Sequence, residues 1–453
     1  MTYSECISRR EFIKQTTAVA AAAGPHVVSA AAAGSGGEPA PNDRIHLGII
    51  GCGNMGRKNL SNCTQYDDVV VTAACDVWKQ RLESVVKRHP DTCEAYRDYR
   101  VMLQEADVDA VIIATPPHWH ALQAIHASEA GKDIFLQKPM TLHLGESLAL
   151  RNAVQEHDVV SQIGTQIHAR GNYRRVVEYV RSGNLGEIAT VRTFMVMNQG
   201  KNGIGTVEER KTPEELGWDL DWDMWCGPAP KMPFHSLVIQ DAGHRPSWMD
   251  YSGGWTPGMA PHIIDLPIWA LELDYPTQVS SSGGRLVVQD DGDAYDNHEA
   301  LWRYPDRTMT WMMSLTNSYG FDFHNRPQPR RRLGIYFHGV NGTLYSNYGR
   351  HDVVPEGDRL ENKKRPPKSI PSSPGHEREW LNCVKSREEP SCHVPYHVKV
   401  DVPIVLSLLS YRLDRSIDFD PGEEWVTGDE EASREAVPDY RDPWEFPDKY
   451  LET

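Results

Sequence analysis

The sequence predicts an α/β fold that begins with a doubly wound parallel sheet and continues into a second domain. Three observations support this: the length of 453 residues, a glycine-rich turn after an apolar run, and the alternation of strand-like and helix-like segments that follows. The length exceeds what one hydrophobic core usually fills, so two domains are expected. Hydrophobic residues make up 40% and charged residues 24% of the chain, a globular composition that excludes collagen and coiled coil.

Residues 1–33 have the composition of an export signal. The twin arginine Arg9-Arg10 precedes a hydrophobic residue and a lysine, and an alanine-rich run and a stretch of small residues follow. This order resembles a twin-arginine (Tat) signal peptide, so we expect a periplasmic or otherwise exported protein. Residues 34–43, rich in Gly and Pro, are predicted to be a linker. No other stretch approaches the roughly 18 apolar residues that a membrane span needs.

Charge and cysteine content limit the partners and the cross-links. The net charge of -16 argues against nucleic-acid binding, which requires a basic surface. The eight cysteines are few for this length, so a disulfide framework is not expected. Pairing of Cys383 with Cys392 is left open.

The glycine-rich turn has the pattern of a dinucleotide-binding loop. The apolar run at residues 45–50 predicts a buried strand, and the motif G-x-G-x-x-G follows it directly. Its members are Gly51, Cys52, Gly53, Asn54, Met55 and Gly56. The first glycine allows the tight turn, the second lets the backbone approach a pyrophosphate, and the third lets helix pack on strand. Amides at the start of the helix then bind the anion.

A carboxylate after the next strand predicts which nucleotide binds. Residues 69–75 form a second apolar run, and Asp76 follows it, about 20 residues beyond the motif. A carboxylate at this place accepts hydrogen bonds from the adenosine ribose and repels a 2′-phosphate. The sequence therefore predicts NAD as the cofactor, with NADP less favoured.

The alternation continues to residue 164. Helices are predicted at 79–88 and 119–130, and further strands at 111–114, 133–136 and 159–164. Such a pattern predicts a parallel sheet with right-handed crossovers, and ligands bind at the carboxyl ends of its strands. The polar residues predicted to bind the cofactor at those ends are Thr115, Pro116, His118, His120, Gln137, Lys138 and Gln166.

The second half of the chain carries more strand-like runs, at 190–197, 285–288, 299–304, 308–315 and 333–337. Asn341-Gly342 is predicted to turn a hairpin into 343–345. The acidic loop at 290–296 misses the EF-hand spacing, so a solvated turn is preferred over a calcium site. Trp222 and Trp225 are interpreted as structural, with stacking on a sugar as the alternative.

Together these motifs resemble the Gfo/Idh/MocA oxidoreductases, from about residue 45 to about residue 421. The segments that carry the resemblance are the glycine motif, Asp76, A-T-P-P-H-W-H at 114–120, Q-K-P at 137–139, G-T-Q at 164–166, W-D-M-W-C-G-P at 222–228 and the H-I-I-D that begins at His262. The resemblance implies a Rossmann domain followed by an α/β domain with a large open, mostly antiparallel sheet. It also implies a tightly held NAD(P) that exchanges hydride with a sugar or polyol, and a homodimer or homotetramer.

Two positions depart from the family pattern. The usual Glu-Lys-Pro tripeptide has Gln137 in place of its glutamate, and Gln can still hydrogen-bond a nicotinamide ribose. Many members carry Asp four positions before the active-site histidine, where this chain has Gly258. The Lys-Asp-His set is therefore incomplete. A redox-neutral glycoside hydrolase or lyase is kept as an alternative to net alcohol oxidation, and a sugar-binding protein without activity as a third hypothesis.

Lys138, His262 and Asp265 are the predicted catalytic residues. A partly desolvated lysine beside oxidised nicotinamide has a lowered pKa and can exchange a proton with the substrate hydroxyl. His262 is suited to proton shuttling, and Asp265, three residues on, is predicted to share its helix face and to orient it. The residues predicted to bind substrate are Lys138, His168, Arg174 and His262. No metal is expected, because the His118–His120 pair has no third ligand at a characteristic spacing.

The predicted boundaries follow from these assignments. They are 1–33 for the signal peptide, 34–43 for the linker, 44–164 for the Rossmann domain, 165–393 for the substrate and oligomerisation domain, 394–421 for a helix returning to the Rossmann domain, and 422–453 for a tail. Because no free NAD pool is expected outside the cytosol, an exported enzyme of this kind needs to carry its cofactor with it.

Overall fold

The structure is a computed structural model that describes residues 43–199, 211–240, 244–318 and 331–451. The predicted signal peptide and nearly all of the predicted linker lie outside the described residues. From Arg44 onward the chain forms one unit with two sheets. Among the described residues, no helix combines the length and the apolar composition needed to cross a membrane.

The first sheet has six parallel strands in the order β3-β2-β1-β4-β5-β6. The strand order reverses between β1 and β4, which is where a doubly wound sheet opens a ligand crevice. The strands β1 and β4 are apolar and almost wholly buried because helices cover both faces. The bounds are β1 (Ile45–Ile50), β2 (Val69–Cys75), β3 (Glu94–Tyr96), β4 (Ala110–Ile113), β5 (Asp133–Leu136) and β6 (Ser161–Ile163).

Six helices belong to this part of the chain. Two begin at visible capping contacts: Asp98 accepts the Arg100 amide at 2.9 Å before α3, and His143 and Glu146 form a capping box on α5. A 3-10 turn at Pro117–Trp119 precedes α4. The bounds are α1 (Asn54–Cys63), α2 (Lys79–Val86), α3 (Tyr99–Glu105), α4 (His120–Glu129), α5 (Leu144–Glu156) and α6 (Gly171–Arg181).

The second sheet has nine strands in the order β13-β12-β11-β7-β10-β9-β8-β14-β15, antiparallel except where β7 meets β10. In β9 the residues His298, Ala300 and Trp302 are buried and their neighbours are more exposed, so one sheet face forms the core. The predicted fold class is confirmed. The bounds are β7 (Ile188–Met197), β8 (Gln278–Gly284), β9 (Asn297–Arg303), β10 (Thr308–Ser314), β11 (Arg331–Gly339), β12 (Gly342–Ser346), β13 (His351–Pro355), β14 (Ile417–Asp420) and β15 (Trp425–Thr427).

The remaining helices connect the two sheets. The long helix α13 packs against α5 on one side and β8 on the other. Helix α12 packs on the six-stranded sheet, with Trp380 against Phe135, although it lies within the range assigned to the second domain. The bounds are α7 (Trp222–Cys226), α8 (Ser236–Gln240), α9 (Met249–Ser252), α10 (Trp255–Met259), α11 (Pro261–Leu271), α12 (His376–Ser386), α13 (Val394–Leu413) and α14 (Glu430–Glu435).

Residues 285–288 do not form the predicted strand. The strand β8 ends before them, and the amides of Leu286, Val287 and Val288 donate to the buried carboxylate of Asp296 at 2.7–3.1 Å. The preference for a solvated turn at 290–296 is therefore wrong at Asp296. The predicted hairpin is present one residue earlier than expected, because Gly339 pairs with Gly342 across a turn of two residues.

The predicted tail contributes the edge strand β15 to the second sheet, and β14 beside it lies in the range 394–421 that was predicted as a returning helix. The thiols of Cys383 and Cys392 are both free and buried, so the structure contains no disulfide between them.

Candidate functional site

The glycine motif closes the turn between β1 and α1. Gly51 has φ +93°, and a Cβ there would lie 2.8 Å from backbone atoms of Ala114 and Thr115. A Cβ at Gly56 would lie 2.0 Å from the Gly51 oxygen, whereas a Cβ at Gly53 would meet only an Arg81 nitrogen at 3.6 Å. The outer glycines are thus required by the fold, and the middle one leaves room for a ligand.

Asp76 is fixed beside this turn by two backbone amides. Its Oδ2 accepts the Cys52 amide at 2.7 Å, and its Oδ1 accepts the Trp78 amide at 2.8 Å. Burial raises the pKa of Asp76, and the Trp78 amide and Arg81 oppose the shift. Each carboxylate oxygen keeps a lone pair for a further donor, so the ribose contact expected from the sequence is geometrically available.

A cavity extends from Asp76 along the glycine turn. Gly51, Gly53, Asn54, Met55, Asp76, Thr115 and Pro116 line it, as the sequence predicted they would lie at the cofactor. Further lining residues that sequence reasoning missed are Val77, Arg81, Arg97, Tyr99, Trp119, Gln123, Met224, Trp225, Ile239, Gln240 and Arg245.

A segment from the middle of the chain lies against the Asp76 end of this cavity. The amide of Lys79 donates to the Asp219 carbonyl at 2.9 Å, and the amide of Asp221 donates to the Val77 carbonyl at 3.0 Å. The guanidinium of Arg81 donates to the Ile239 carbonyl. We call residues 217–240 the cover. No motif in the sequence marks it, because its contacts join positions more than a hundred residues apart.

His118 and His120 do not line the cavity, contrary to the sequence-based expectation. Both are buried, and their rings contact backbone carbonyls: His118 Nε2 lies 2.9 Å from Trp225 O, and His120 Nδ1 lies 2.6 Å from Pro139 O. Burial lowers the pKa of His118 to about 3 and of His120 to about 4. The two rings hold together the loops around the site.

Trp222 stacks on Trp225 with ring centroids 4.5 Å apart, as expected for the structural role predicted from the sequence.

The two glutamines occupy different environments. Gln137 is buried, and its amide donates to Asn59 Oδ1 on α1 at 2.8 Å. A Cβ on Gly164 would lie 2.5 Å from that amide, so the glycine makes room for it. Gln166 adopts a left-handed backbone conformation with φ +59° in the loop after β6.

Lys138 lies at the carboxyl end of β5, before a cis peptide bond to Pro139. Its ammonium donates to the Gly258 carbonyl oxygen at 2.8 Å. A Cβ at Gly258 would meet no atom within 4 Å, so the position of the family's aspartate is open space.

His262 lies one helical turn beyond Gly258, near the start of α11. Its Nδ1 lies 3.1 Å from the Thr165 carbonyl oxygen, which accepts from that nitrogen and leaves Nε2 as the hydrogen-bond acceptor. Burial and the neighbouring Lys138 charge lower the pKa of His262 to about 3. Lys138, Gly258, Thr165 and His262 therefore converge, with a neutral imidazole beside a lysine.

Asp265 does not orient His262. Although it lies on the same helix, its Oδ1 accepts from Tyr396 at 2.5 Å and pairs with His168 Nε2 at 3.1 Å. His168 also stacks on Trp269 with centroids 4.1 Å apart. The Asp265 carboxylate is thus hydrogen-bonded to His168, whereas the His262 ring is hydrogen-bonded to the Thr165 backbone carbonyl.

His168 and Arg174 line a second cavity, of about 780 Å³, whose lining includes neither Lys138 nor His262. The Arg174 Nε donates to the His168 carbonyl at 2.6 Å. Trp269, Glu379, Ser391 and Tyr396 complete much of its wall. The structure therefore brings Lys138 and His262 together and separates them from the other two predicted substrate ligands.

Two family models match the chain and together span most of it. Residues 45–165 match the oxidoreductase family with an NAD-binding Rossmann fold (GFO_IDH_MocA). Residues 174–446 match the C-terminal α/β domain of the same oxidoreductase family.

Individual relatives match over a shorter span. Myo-inositol 2-dehydrogenase of Thermotoga maritima is 26% identical over 148 residues, 33% of this chain and 44% of that protein. A glycosyl hydrolase family 109 protein of Shewanella pealeana is 29% identical over 161 residues, 32% of this chain and 34% of that protein. The chain thus spans less than half the length of these curated relatives.

A solved structure extends the likeness of fold. The WlbA dehydrogenase from Bordetella pertussis, in complex with NADH and UDP-GlcNAcA, aligns with a TM-score of 0.60 at 18% identity, covering 84% of this chain and 99% of that one.

Proposed function

Since the chain belongs to the Gfo/Idh/MocA oxidoreductase family, we propose that it is an NAD-dependent oxidoreductase acting on a CH–OH group of a sugar or polyol. The observation that carries this proposal is the convergence of Lys138 and His262 at the carboxyl end of β5. This strand pairs with β4, and the residues that follow β4, Thr115 and Pro116, line the cavity. Oxidation of a secondary alcohol requires a hydride acceptor and a group that takes the hydroxyl proton. When bound, NAD supplies the acceptor.

Lys138 is the group that handles the proton. Its ammonium, held by the Gly258 carbonyl, is aimed by that contact rather than free to rotate. In its neutral form it takes the proton from the substrate hydroxyl, and in its charged form it stabilises the developing oxyanion. His262 presents Nε2 as an acceptor to a second hydroxyl and so positions the substrate. A vicinal diol, as in sugars and polyols, offers donors to both groups.

NAD fits the crevice better than NADP. Gly53 leaves space in the cavity, so a pyrophosphate can approach the backbone amides there. The ribose hydroxyls can donate hydrogen bonds to the Asp76 carboxylate. The negative charge of Asp76 opposes a 2′-phosphate. The residues present therefore fit the group that the family binds.

We propose that NAD stays bound through the catalytic cycle. The cover is hydrogen-bonded to Val77, Lys79 and Arg81 beside Asp76, and we infer that these contacts slow the release of the adenosine moiety. Retention suits an exported enzyme, and residues 1–33 resemble a Tat signal. The retained cofactor is regenerated when a second carbonyl substrate takes the hydride at the same site.

A redox-neutral glycoside hydrolase or lyase is the second candidate. The open space at Gly258 and the family 109 relatives favour it. In this scheme the carbon that bears a ring hydroxyl would lose a hydride to bound NAD, and the hydroxyl oxygen would lose its proton to Lys138. The carbon beside the new ketone would then lose a proton to a base, and the C–O bond to the leaving group on the next carbon would break, leaving an enone. Water adds to the enone, and the hydride and proton return, so no net oxidation occurs.

One pair of measurements separates the two candidates. Protein isolated with its cofactor is mixed with single sugars or polyols, and the absorbance of reduced nicotinamide is followed. Net oxidation predicts accumulation of reduced cofactor that a second carbonyl compound discharges. The redox-neutral scheme predicts a cleaved product that carries deuterium from solvent beside the transiently oxidised carbon, and unlabelled product contradicts it.

A homodimer or homotetramer, which the resemblance implies, stays a prediction. Light scattering after size exclusion measures it.

A further inference from the structure

Three side chains of types that bind metals in other proteins lie close together at α11, the helix that carries His262. His168 follows β6, Asp265 lies on α11, and Cys392 precedes α13. One ligand atom from each lies within 4.8 Å of the other two, and all three residues are buried. Among the described parts of the chain, this is the one group of three His, Cys, Asp or Glu residues with that spacing.

We propose that His168, Asp265 and Cys392 bind a zinc ion. Nitrogen, carboxylate oxygen and thiolate form a mixed donor set that suits Zn²⁺ in tetrahedral geometry, and calcium and magnesium prefer oxygen alone. No spacing in the chain indicates the site, because its members are separated by 97 and 127 residues.

The spacings are close to those of ligands on one ion. Zinc bonds of about 2.0 to 2.1 Å to N and O and about 2.3 Å to S place N and O about 3.3 Å apart and S and O about 3.5 Å apart. In the structure His168 Nε2 lies 3.1 Å from Asp265 Oδ1, and Cys392 Sγ lies 3.8 Å from the other oxygen of that carboxylate. One ligand atom from each residue lies within 4.8 Å of the other two, so binding would draw the three atoms closer together.

The charge of the site also balances with the ion. A carboxylate and a thiolate together carry two negative charges, and Zn²⁺ cancels them, with His168 as a neutral ligand. Burying a neutral cluster avoids the large cost of an uncompensated charge. Tyr396 donates to Asp265 at 2.5 Å and holds that ligand from outside, as a partner of a metal ligand commonly does.

The surroundings leave space for a fourth ligand and a path of entry. The cavity of about 780 Å³ reaches His168 and Tyr396. In its wall Glu379 Oε2 and Ser391 Oγ are buried without a hydrogen-bond partner among the described residues. A zinc-bound water that fills the open position would lie on the polar side of the cluster.

A buried imidazole beside the cluster points the same way. His397 is fully buried, and neither ring nitrogen has a hydrogen-bond partner among the described residues. Asp265 and His168 both interact electrostatically with this ring, so it lies near the cluster. Buried polar atoms without partners are uncommon and call for a group that satisfies them.

Such an ion would fix the helix that carries His262. Asp265 is one turn after His262 on α11, and the other two ligands tie that turn to the loop after β6 and to the start of α13. The zinc would act as a positioning element for the active site, without contact to the reacting carbon.

Metal content tests the inference independently of NAD and of any substrate. Full-length protein from zinc-supplemented cells is dialysed and analysed by inductively coupled plasma mass spectrometry. We expect about one zinc per chain in the wild type and in the control Cys383→Ser, which changes another buried thiol, and a loss of at least fivefold in Cys392→Ser and in His168→Gln. Circular dichroism of each variant shows whether it is folded.

Cobalt provides a measurement on the wild-type protein itself. After zinc is removed with a chelator, added Co²⁺ should produce a thiolate-to-cobalt charge-transfer band and intense tetrahedral d–d bands. Wild-type protein that takes up neither zinc nor cobalt, or a folded Cys392→Ser variant that keeps one equivalent and the same cobalt spectrum, overturns the assignment. A zinc-loaded protein that never reduces NAD leaves this inference standing and contradicts only the proposed function.

Discussion

The ammonium of Lys138 donates a hydrogen bond of 2.8 Å to the backbone carbonyl of Gly258, one helical turn before His262. The contact joins the carboxyl end of the parallel sheet to the end of α10, directly before α11 begins. It therefore sets the distance between the two groups that we assign to proton handling and to substrate positioning.

Replacing Lys138 tests the proton-handling role. We expect Lys138→Met to slow the reduction of bound NAD by about 10² to 10⁴-fold, because the variant lacks the group that takes the hydroxyl proton. NAD content and melting temperature should stay close to those of wild type. Lys132→Met removes another partly buried lysine, which caps the Val108 carbonyl, and should retain activity. A Lys138→Met variant that keeps full cellular function would support the hypothesis of a sugar-binding protein without activity.

Substitutions at two glycines of the motif should have different effects, one on the stability of the protein and the other on NAD binding. Gly56→Ala places a Cβ 2.0 Å from a backbone oxygen and should destabilise the protein by about 2 kcal/mol or more. Gly53→Ala meets no such atom and should keep the wild-type melting temperature while NAD affinity falls about tenfold or more. Differential scanning fluorimetry and calorimetric titration of protein refolded without cofactor measure the two effects. Equal loss of stability in both variants contradicts this division.

Asp76 should control the choice of dinucleotide. In Asp76→Asn we expect NAD affinity to fall about tenfold, because the charged acceptor for the ribose hydroxyls is lost. NADP affinity should fall less or rise, since the repulsion of its 2′-phosphate is removed. Asp107→Asn, at an exposed carboxylate paired with His46, is the control. Unchanged NAD:NADP preference in Asp76→Asn contradicts the assignment.

The open space at Gly258 should accept the aspartate that many relatives carry. We expect Gly258→Asp to fold normally and to raise the pKa of Lys138, because an opposite charge nearby favours the ammonium. The hydride-transfer rate increases with pH as Lys138 loses its proton, and the midpoint of this increase should then shift to a pH about one unit higher. Gly171→Asp fills open space at the start of α6 and is the control. An unshifted profile shows that the new carboxylate does not reach Lys138.

Buried histidines should make the protein sensitive to mild acid. Burial lowers the pKa of His298 to about 3, below its ordinary value of about 6.5. As the pH falls from about 6.5 toward 4, the unfolded chain binds a proton that the native state does not, so stability decreases by up to about 1.4 kcal/mol per pH unit for this residue. Urea unfolding at several pH values should show a shallower dependence in His298→Gln. An identical slope contradicts a neutral buried imidazole.

The first half of the chain was predictable because its signals are local. The strands β1, β2 and β5 begin and end where their apolar runs do, and the glycine motif predicts both the turn and the crevice. Each of these features depends on neighbours within a few residues, so periodicity and turn chemistry were sufficient.

The second half depends on contacts that the sequence does not display. Residues 285–288 are apolar enough for a strand, but their amides bind Asp296 instead. Asp265 shares a helix with His262, yet its partners come from two other segments. The cover over the nucleotide cavity and the His168–Asp265–Cys392 cluster likewise arise from tertiary packing that no spacing in the chain indicates.

The central claim is that a sugar or polyol hydroxyl is oxidised at Lys138 by NAD held in the crevice. Its most direct test is a single-turnover experiment in which protein loaded with NAD is mixed with a panel of sugars and polyols and the nicotinamide absorbance is recorded. We predict that at least one compound reduces the bound cofactor in wild type and fails to do so in Lys138→Met. If no compound reduces the cofactor, or if the variant is reduced at the wild-type rate, the account is contradicted.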